Sequence, residues 1–163
     1  IRLATPSDLL ALERTFPYGA PEKHADRLSL QGRELGAYLI AWCEKKPIGH
    51  CFLRWGGVEE GDLGDLEAPA ATAEVRDLFV LASHRSRGVG TQLMLAAESI
   101  ALEKGQKALS LSVNMRNLRA WELYERLGFR AVGQNADGNM SDRSRTRGVR
   151  HVYLVKSLDQ SSR

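Results

Sequence analysis

From residue 73 to residue 128 the chain writes one local plan twice, and this repetition constrains the fold more than any other feature. Strand-like Glu74–Leu81 leads through a turn into a helical pattern from about Gly88 to Lys104, which Gly105 stops. Strand-like Ala108–Val113 then leads into a second helical pattern from Asn117 to Leu127, stopped by Gly128. No proline follows Pro69, which suits uninterrupted central strands and helices. Ahead of this core, Ile1–Ala4 reads as a short strand, and Thr5, Pro6 and Asp8 supply an N-cap, a first-turn proline and a first-turn acid. A helix to about Phe16 is broken by Pro17–Pro21, and an amphipathic stretch from Glu22 to about Gln31 is closed by Gly32. Ala37–Cys43 and Ile48–Trp55 are apolar strands around a four-residue loop, Glu44-Lys45-Lys46-Pro47. Residues 56–72 read as a loop. Arg130–Gly133 and His151–Lys156 are the last strands, and Gln134–Arg150 between them is a long loop of the kind that carries function. The expectation is one α/β domain over residues 1–163, with a mixed, mostly antiparallel, twisted sheet flanked by helices.

The 163 residues are 43% hydrophobic, enough to bury a full core without metals or disulfides. Charged residues at 26% and aromatics at 7% exclude a disordered, collagenous or coiled-coil chain. The longest apolar runs, such as Ala37–Cys43, fall far short of the roughly 20 residues of a membrane span. With no basic segment followed by an apolar one at its start, the chain reads as cytoplasmic. Cys43 and Cys51 flank the hairpin. Pairing Cys43 with Ile48 puts Cys51 opposite Ile40, too far to bridge, so both are expected as reduced, mostly buried thiols.

The net charge of +3 is local: residues 134–163 hold six basic residues and three acidic ones, and Arg143, Arg145, Arg147 and Arg150 form one cluster. That balance is too mild to call for nucleic acid, and it leaves open a local anion contact or a solvated loop. The 56–72 loop carries Glu59, Glu60, Asp62, Asp65 and Glu67 with no basic residue, either a solvated connection or an acidic mouth for cationic substrates.

Arg85-Ser86-Arg87-Gly88-Val89-Gly90-Thr91 follows a strand and opens a helix. Two glycines let the backbone approach a phosphate, the helix dipole favours negative charge, and Arg85 and Arg87 add positive charge beside it. It is neither a Walker loop, for want of Gly-Lys-Ser/Thr, nor a dinucleotide fingerprint, for want of a third glycine and a downstream acid. A tight turn with no ligand is the bland alternative.

Arg85-x-x-Gly88-x-Gly90 resembles the acyl-coenzyme A pyrophosphate signature of the GNAT N-acetyltransferase superfamily. The strand Val75–Val80 upstream and Asn117-x-x-Ala120-x-x-x-Tyr124-x-x-x-Gly128-Phe129 downstream match the family's order over residues 73–133. The resemblance implies a GNAT-like fold whose strand pair Glu74–Leu81 and Ala108–Val113 splays to hold acyl-coenzyme A. It implies acetyl coenzyme A as co-substrate, no metal, and a primary amine as acceptor, most readily a small molecule. The pyrophosphate would rest on the amides of Arg87, Gly88, Val89, Gly90 and Thr91, beside Arg85, and the pantetheine along Leu78, Phe79 and Val80. Asn117 and Ala120 would contact the cofactor from the neighbouring unit, although Asn117 also sits where a helix cap belongs. Tyr124 has two readings, a core residue alongside Leu118, Trp121 and Leu127, or the proton donor to the departing thiolate.

Glu74 is the best candidate base. Alternation puts it on the face of Leu78 and Val80 if no bulge intervenes, and the alternative is a solvated strand end. Asp77, His24 and His151 are weaker candidates. Direct attack in a ternary complex is favoured over an acetyl-cysteine route, because His50 points away from its neighbour Cys51. Trp42, Trp55 and Trp121 are assigned to the core or its rim. A protein or peptide acceptor, a non-catalytic acyl-coenzyme A module and an RNA-associated protein using Arg143–Arg150 remain as rivals, and a monomer or homodimer is expected.

Overall fold

A computed structural model of the chain describes residues 1–17, 22–56, 71–132, 145–146 and 149–158. Its elements are, in chain order, β1 (Arg2–Leu3), α1 (Leu9–Thr15), α2 (Glu22–Gly32), β2 (Gly36–Cys43), β3 (Lys46–Arg54), β4 (Thr72–Val80), α3 (Val89–Glu103), β5 (Ala108–Asn114), α4 (Leu118–Arg126), β6 (Arg130–Ala131), β7 (Arg145–Thr146) and β8 (Val149–Ser157). Seven strands form a mixed, mostly antiparallel sheet in the order β1-β2-β3-β4-β5-β8-β6, with β7 paired to β8 and four helices flanking. The chain divides into two compact units, Ile1–Trp55 with Val75–Ile100 and Gly56–Glu74 with Ala101–Arg163, so that β4 passes from one to the other after Glu74.

The first unit begins with a polar corner. The Asp8 carboxylate accepts both Arg2 guanidinium nitrogens at 2.7 Å and the Thr5 backbone N–H at 2.8 Å. Pro6–Asp8 is a short 3-10 turn ahead of α1, so the expected cap starts a tighter turn than an α-helix. Gln31 of α2 then ties β2 to the residue that follows β1, donating to the Ala4 carbonyl and accepting from the Tyr38 N–H, both at 2.8 Å. Behind it Ala4, Leu12, Phe16, Tyr38, Ile40 and Phe52 make one buried cluster, against which Leu28, Leu30, Trp42 and Leu81 pack. Strand β2 is buried from Gly36 to Ala41, which is why its sequence is a continuous apolar run rather than an alternation. The helix α2 closes differently from expectation: Gly32 is its last helical residue, and the left-handed backbone falls at Glu34.

The β2–β3 hairpin is also tighter than its sequence implied. Cys43 pairs with Lys46 across a two-residue turn, Glu44-Lys45, with Glu44 at φ +54°. Ala41 faces Gly49 and Trp42 faces Pro47, so Ile48 is an extra residue on β3 and the register shifts there. Cys51 therefore faces Leu39, not Ile40. Both thiols are free, but only Cys51 is buried as expected: Cys43 ends β2 beside the exposed Glu44-Lys45 turn and is itself exposed.

In the second unit β5 pairs with β8 along its whole length, from Ala108↔Ser157 to Asn114↔His151. On its other side it takes the start of β4 in parallel, Thr72↔Ala108, Ala73↔Leu109 and Glu74↔Ser110. Leu109, Leu111, Val113, Phe129, Val152 and Leu154 are buried. Gly105 and Gly128, at φ +75° and +90°, end α3 and α4 as their sequences foretold. Part of the expected loop 134–150 is instead a strand pair, Arg145↔Arg150 and Thr146↔Val149, and β8 is longer than anticipated. Two arginines of the cluster are thus register partners. Arg143 and Arg147, residues 57–70 of the acidic stretch and residues 18–21 between the first helices lie outside the described residues.

Two outcomes follow from this packing. A Cβ at Gly36 would lie 2.3 Å from the Leu53 carbonyl oxygen and 2.5 Å from the Phe52 ring, whereas one at Gly32 meets nothing within 4 Å. Gly36→Ala should therefore lower stability by about 1–3 kcal/mol in urea unfolding with an unchanged slope, and Gly32→Ala should be neutral or raise it by up to about 1 kcal/mol. The second concerns acid. Hydrogen bonding to Arg2, ahead of the Thr5 contacts, holds the Asp8 carboxyl at about 2, below its usual 3.8. A lowered folded-state pKa stabilises above the unfolded value, so this contribution is complete above about pH 5 and lost as pH falls through 4 towards 2. The midpoint of thermal unfolding should drop across that window and do so less in Asp8→Asn.

Candidate functional site

In the first unit, β4 runs into the turn that carries the phosphate-like motif. Residues Ala82–His84 form a 3-10 turn, Arg85 is extended, and Ser86 and Gly88 take φ of +59° and +81° before α3 begins at Val89. Left-handed residues in such a turn set successive N–H groups along one concavity, and the first-turn amides of a helix have no partner within it. The Gln92 N–H already returns to the Gly88 carbonyl at 2.9 Å, leaving Val89, Gly90 and Thr91 as the first-turn donors. An added Cβ at Gly88 would meet nothing within 4 Å, so glycine is there for its backbone angle and not for want of space. Arg87 is exposed. Arg85 is turned back: its Nε donates to the Val80 carbonyl at 2.9 Å and its guanidinium lies 5.7 Å from the centre of the Phe79 ring. The sequence placed both arginines beside the turn, and the structure ties one of them to β4.

Strand β4 departs from simple alternation at Asp77, whose φ is +53°. A left-handed residue inside a strand is a bulge-like irregularity, costing about 1–3 kcal/mol that the surroundings must offset. The condition under which Glu74 shares a face with Leu78 and Val80 is therefore not met. Nor is Glu74 a solvated strand end: it is 5% exposed, in the last parallel pair of the β4–β5 ladder, opposite Ser110. Ser110 is also buried, and its Oγ has no hydrogen-bond partner among the described residues.

Asp77 forms an ion pair with Arg27 of α2, which is 5% exposed. Arg27 lies over the Tyr38 ring at 5.4 Å, and its Nη1 donates to Tyr38 Oη at 3.4 Å. His24, a weaker base candidate, is spoken for: Nε2 meets the Phe16 carbonyl at 2.9 Å and Nδ1 meets Tyr38 Oη at 2.7 Å. Because a carbonyl only accepts, we assign the ring proton to Nε2, and the Tyr38 hydroxyl then donates to Nδ1. Burial lowers the His24 pKa and brings that of His50 down to about 3, so both imidazoles are neutral at pH 7. Phe79, 40% exposed, stacks on His50 at 5.9 Å and meets Phe16 edge-on at 5.6 Å. Burial pushes the Cys51 thiol up to about 12, which removes it as a nucleophile.

In the second unit Asn117 caps α4, its side chain accepting the Ala120 N–H at 3.3 Å. That use commits the Ala120 amide to the cap. Tyr124 is buried against Phe129, ring centres 5.9 Å apart, with the Phe129 N–H on the Tyr124 carbonyl. Leu118, expected beside it in the core, is 68% exposed, and Trp121 and Leu127 are half-buried. His151 is exposed on β8. Trp42 and Trp55 are likewise half-buried at the rim. Among the described residues no group of three or more His, Cys, Asp and Glu side chains is placed to hold a metal, and no helix is long and apolar enough to cross a membrane.

Arg27, Tyr38 and Ser110 belong to no motif in the sequence. His24, Arg27 and Gln31 stand at helical spacing along one face of α2, where an amphipathic helix would put apolar residues, and that was the available signal.

Comparison with known proteins bears on this arrangement. An uncharacterized N-acetyltransferase of Methanocaldococcus jannaschii is 30% identical over 103 residues, 61% of this chain and 42% of that protein. The chain thus spans about two fifths of that relative's length. An uncharacterized N-acetyltransferase of Archaeoglobus fulgidus is 35% identical over 112 residues, 68% of this chain and 71% of that one. Among solved structures, the ribosomal-protein-alanine N-acetyltransferase of Brucella melitensis superposes with TM-score 0.70 at 20% identity, covering 96% of this chain and 98% of its own. The PaiA N-acetyltransferase of Thermoplasma acidophilum, in complex with coenzyme A, gives 0.68 at 17%, covering 96% of each. The model of the acetyltransferase (GNAT) family matches residues 7–129, most of the chain including β4, the glycine turn, α3 and α4, and the chain belongs to that family.

Proposed function

We propose that the chain works as a single N-acetyltransferase domain, moving the acetyl group of acetyl coenzyme A to a primary amine of a small molecule by direct attack in a ternary complex. The observation that carries this reading is the turn between β4 and α3, with left-handed Ser86 and Gly88 opening onto a helix N-terminus in a chain of this family. The coenzyme A held by the Thermoplasma acidophilum structure supports the choice of cofactor.

The amides of Val89, Gly90 and Thr91 are the donors for the pyrophosphate, with Arg87 adding charge, and the backbone of Leu78, Phe79 and Val80 takes the pantetheine and polarises the thioester carbonyl. Arg85 acts through β4, by fixing the Val80 carbonyl. Asn117 serves as a helix cap beside the cofactor. An amine with pKa near 10.4 is only about 0.04% neutral at pH 7, so a base must take its proton. The base in this reading is Glu74, although it is buried opposite Ser110 and the irregularity at Asp77 takes it off the face of Leu78 and Val80. Tyr124 returns a proton to the departing sulfur. A phenol of pKa near 10 transfers readily to a thiolate near 8.5 only where its ionised form is stabilised, so this assistance is partial. The high pKa of the Cys51 thiol argues against a covalent acetyl-cysteine route.

The test is release of free thiol from acetyl coenzyme A by the purified protein against amines, amino acids, aminoglycosides, polyamines and peptides. A small amine should give the signal, a hit confined to peptides would overturn the acceptor assignment, and silence across the panel would overturn the enzymatic reading. With the acceptor in hand, Tyr124→Phe should lower kcat by about a hundredfold while coenzyme A affinity stays within about twofold. Gly90→Glu should weaken coenzyme A binding by about tenfold or more, from crowding and like charge. Glu74→Gln should lose activity at pH 7 and recover part of it towards pH 10, where the amine deprotonates unaided.

A further inference from the structure

The β4 irregularity is held from one side by a chain of groups that no part of the reaction above uses. Asp77 pairs with Arg27, Arg27 donates to Tyr38 Oη, Tyr38 and His24 share a 2.7 Å hydrogen bond, and His24 meets the Phe16 carbonyl at 2.9 Å. Phe16 is the C-cap of α1, its own N–H returning to the Leu12 carbonyl at 2.8 Å. The Phe79 ring closes the circuit by packing edge-on against Phe16 at 5.6 Å. Residues 77 and 79 are thus fastened to one helix end, the first by polar contacts and the second by an aromatic one.

Aspartate tolerates the left-handed region better than most side chains, but does not prefer it. Arg27, in turn, is a buried cation that must be neutralised where it stands. Its fixed position on α2 makes one backbone arrangement at Asp77 the one that brings the two together. We propose that Arg27 is a positioning residue: its pairing with Asp77 holds the left-handed turn in β4, and so sets the course of the Leu78–Val80 backbone on which the thioester end of acetyl coenzyme A is received. This rests on the cofactor assignment above and adds a residue to it. Arg27 touches no reacting atom. Its effect reaches the site through Asp77.

The half-exposed Asp77 is the place to test this, because Arg27 itself is too buried for its removal to be read cleanly. Asp77→Asn keeps tolerance of the left-handed region and an oxygen for Arg27, Asp77→Gly keeps only the former, and Asp77→Ala keeps neither. Each folded variant, checked by circular dichroism and thermal unfolding, is titrated calorimetrically with acetyl coenzyme A. A second titration uses adenosine 3′,5′-bisphosphate, which has no pantetheine. The expected order of acetyl coenzyme A affinity is wild type, Asn, Gly, Ala, with Asn, which keeps an oxygen for Arg27 but not the charge, weaker by about threefold and Ala weaker by about tenfold. Adenosine 3′,5′-bisphosphate should bind all four alike, because the glycine turn is untouched. Equal acetyl coenzyme A affinity in all four would overturn the proposal and leave the cofactor assignment standing. So would loss of both ligands in step with the unfolding temperature, since the pair would then only brace the fold. A wild-type protein that binds neither ligand would overturn the cofactor assignment itself, and this proposal with it.

Discussion

A buried guanidinium has to be neutralised, and in the first unit that single requirement organises much else. Arg27 is almost completely enclosed, and taking its charge out of water would cost several kcal/mol without a partner. Asp77 answers it from β4, Tyr38 adds both a hydroxyl and a ring face from β2, and His24 orients that hydroxyl from one turn earlier on α2. Each member constrains the next. The result is a polar core inside an aromatic one, with Phe16, His50 and Phe79 packed around it at centroid distances of 4.8–5.9 Å. Such a core specifies a strand path more tightly than apolar packing does, because a shifted strand would strand a charge as well as open a gap.

The same strand then hands over to a turn that works by a different principle. Ser86 and Gly88 are fixed in left-handed conformations, and the helix that follows starts with amides that have nothing behind them to bond. In the cofactor reading proposed above, no particular side chain is needed for an anion to be bound there. Arg85 spends its Nε on the Val80 carbonyl, which joins the end of β4 to the start of the turn. Strand path and turn are therefore mechanically one piece, the first set by side chains and the second by backbone angles.

What the sequence announced and what it withheld divide along that line. Gly105, Gly128 and the Asn117 cap mark helix ends through local chemistry, and α3 and α4 lie within a residue or so of where these signals put them. The turn motif was legible for the same reason. The two-residue turn at Glu44-Lys45 was not, because its left-handed residue is a glutamate and a bulge at Ile48 makes up the register. Asp77 was illegible for a stronger reason: its partner lies 50 residues away, and nothing in Thr72–Val80 alone distinguishes an alternating strand from an interrupted one. The burial of Glu74 also depends on pairing with β5, a contact between residues 36 positions apart that no local pattern encodes. Where the chemistry is backbone chemistry the sequence speaks through glycine and caps, and where it is a buried charge network only the tertiary structure assembles it.

This division also bears on what members of such a family share. The fold is kept at TM-score 0.70 with 20% identity to the Brucella melitensis structure, and a cofactor bound as proposed above, on amides and left-handed turns, would ask only that a few φ angles and a helix start be kept. Acceptor chemistry asks for particular side chains at particular depths, and a fold does not transmit those. A buried network such as Asp77–Arg27–Tyr38–His24 stands between the two: it is made of side chains, yet its output is a backbone path. It can be replaced in a relative by any other arrangement that holds the same path, including a plain glycine at the left-handed position. Its presence here therefore speaks for the precision with which β4 must be held and not for the identity of the amine.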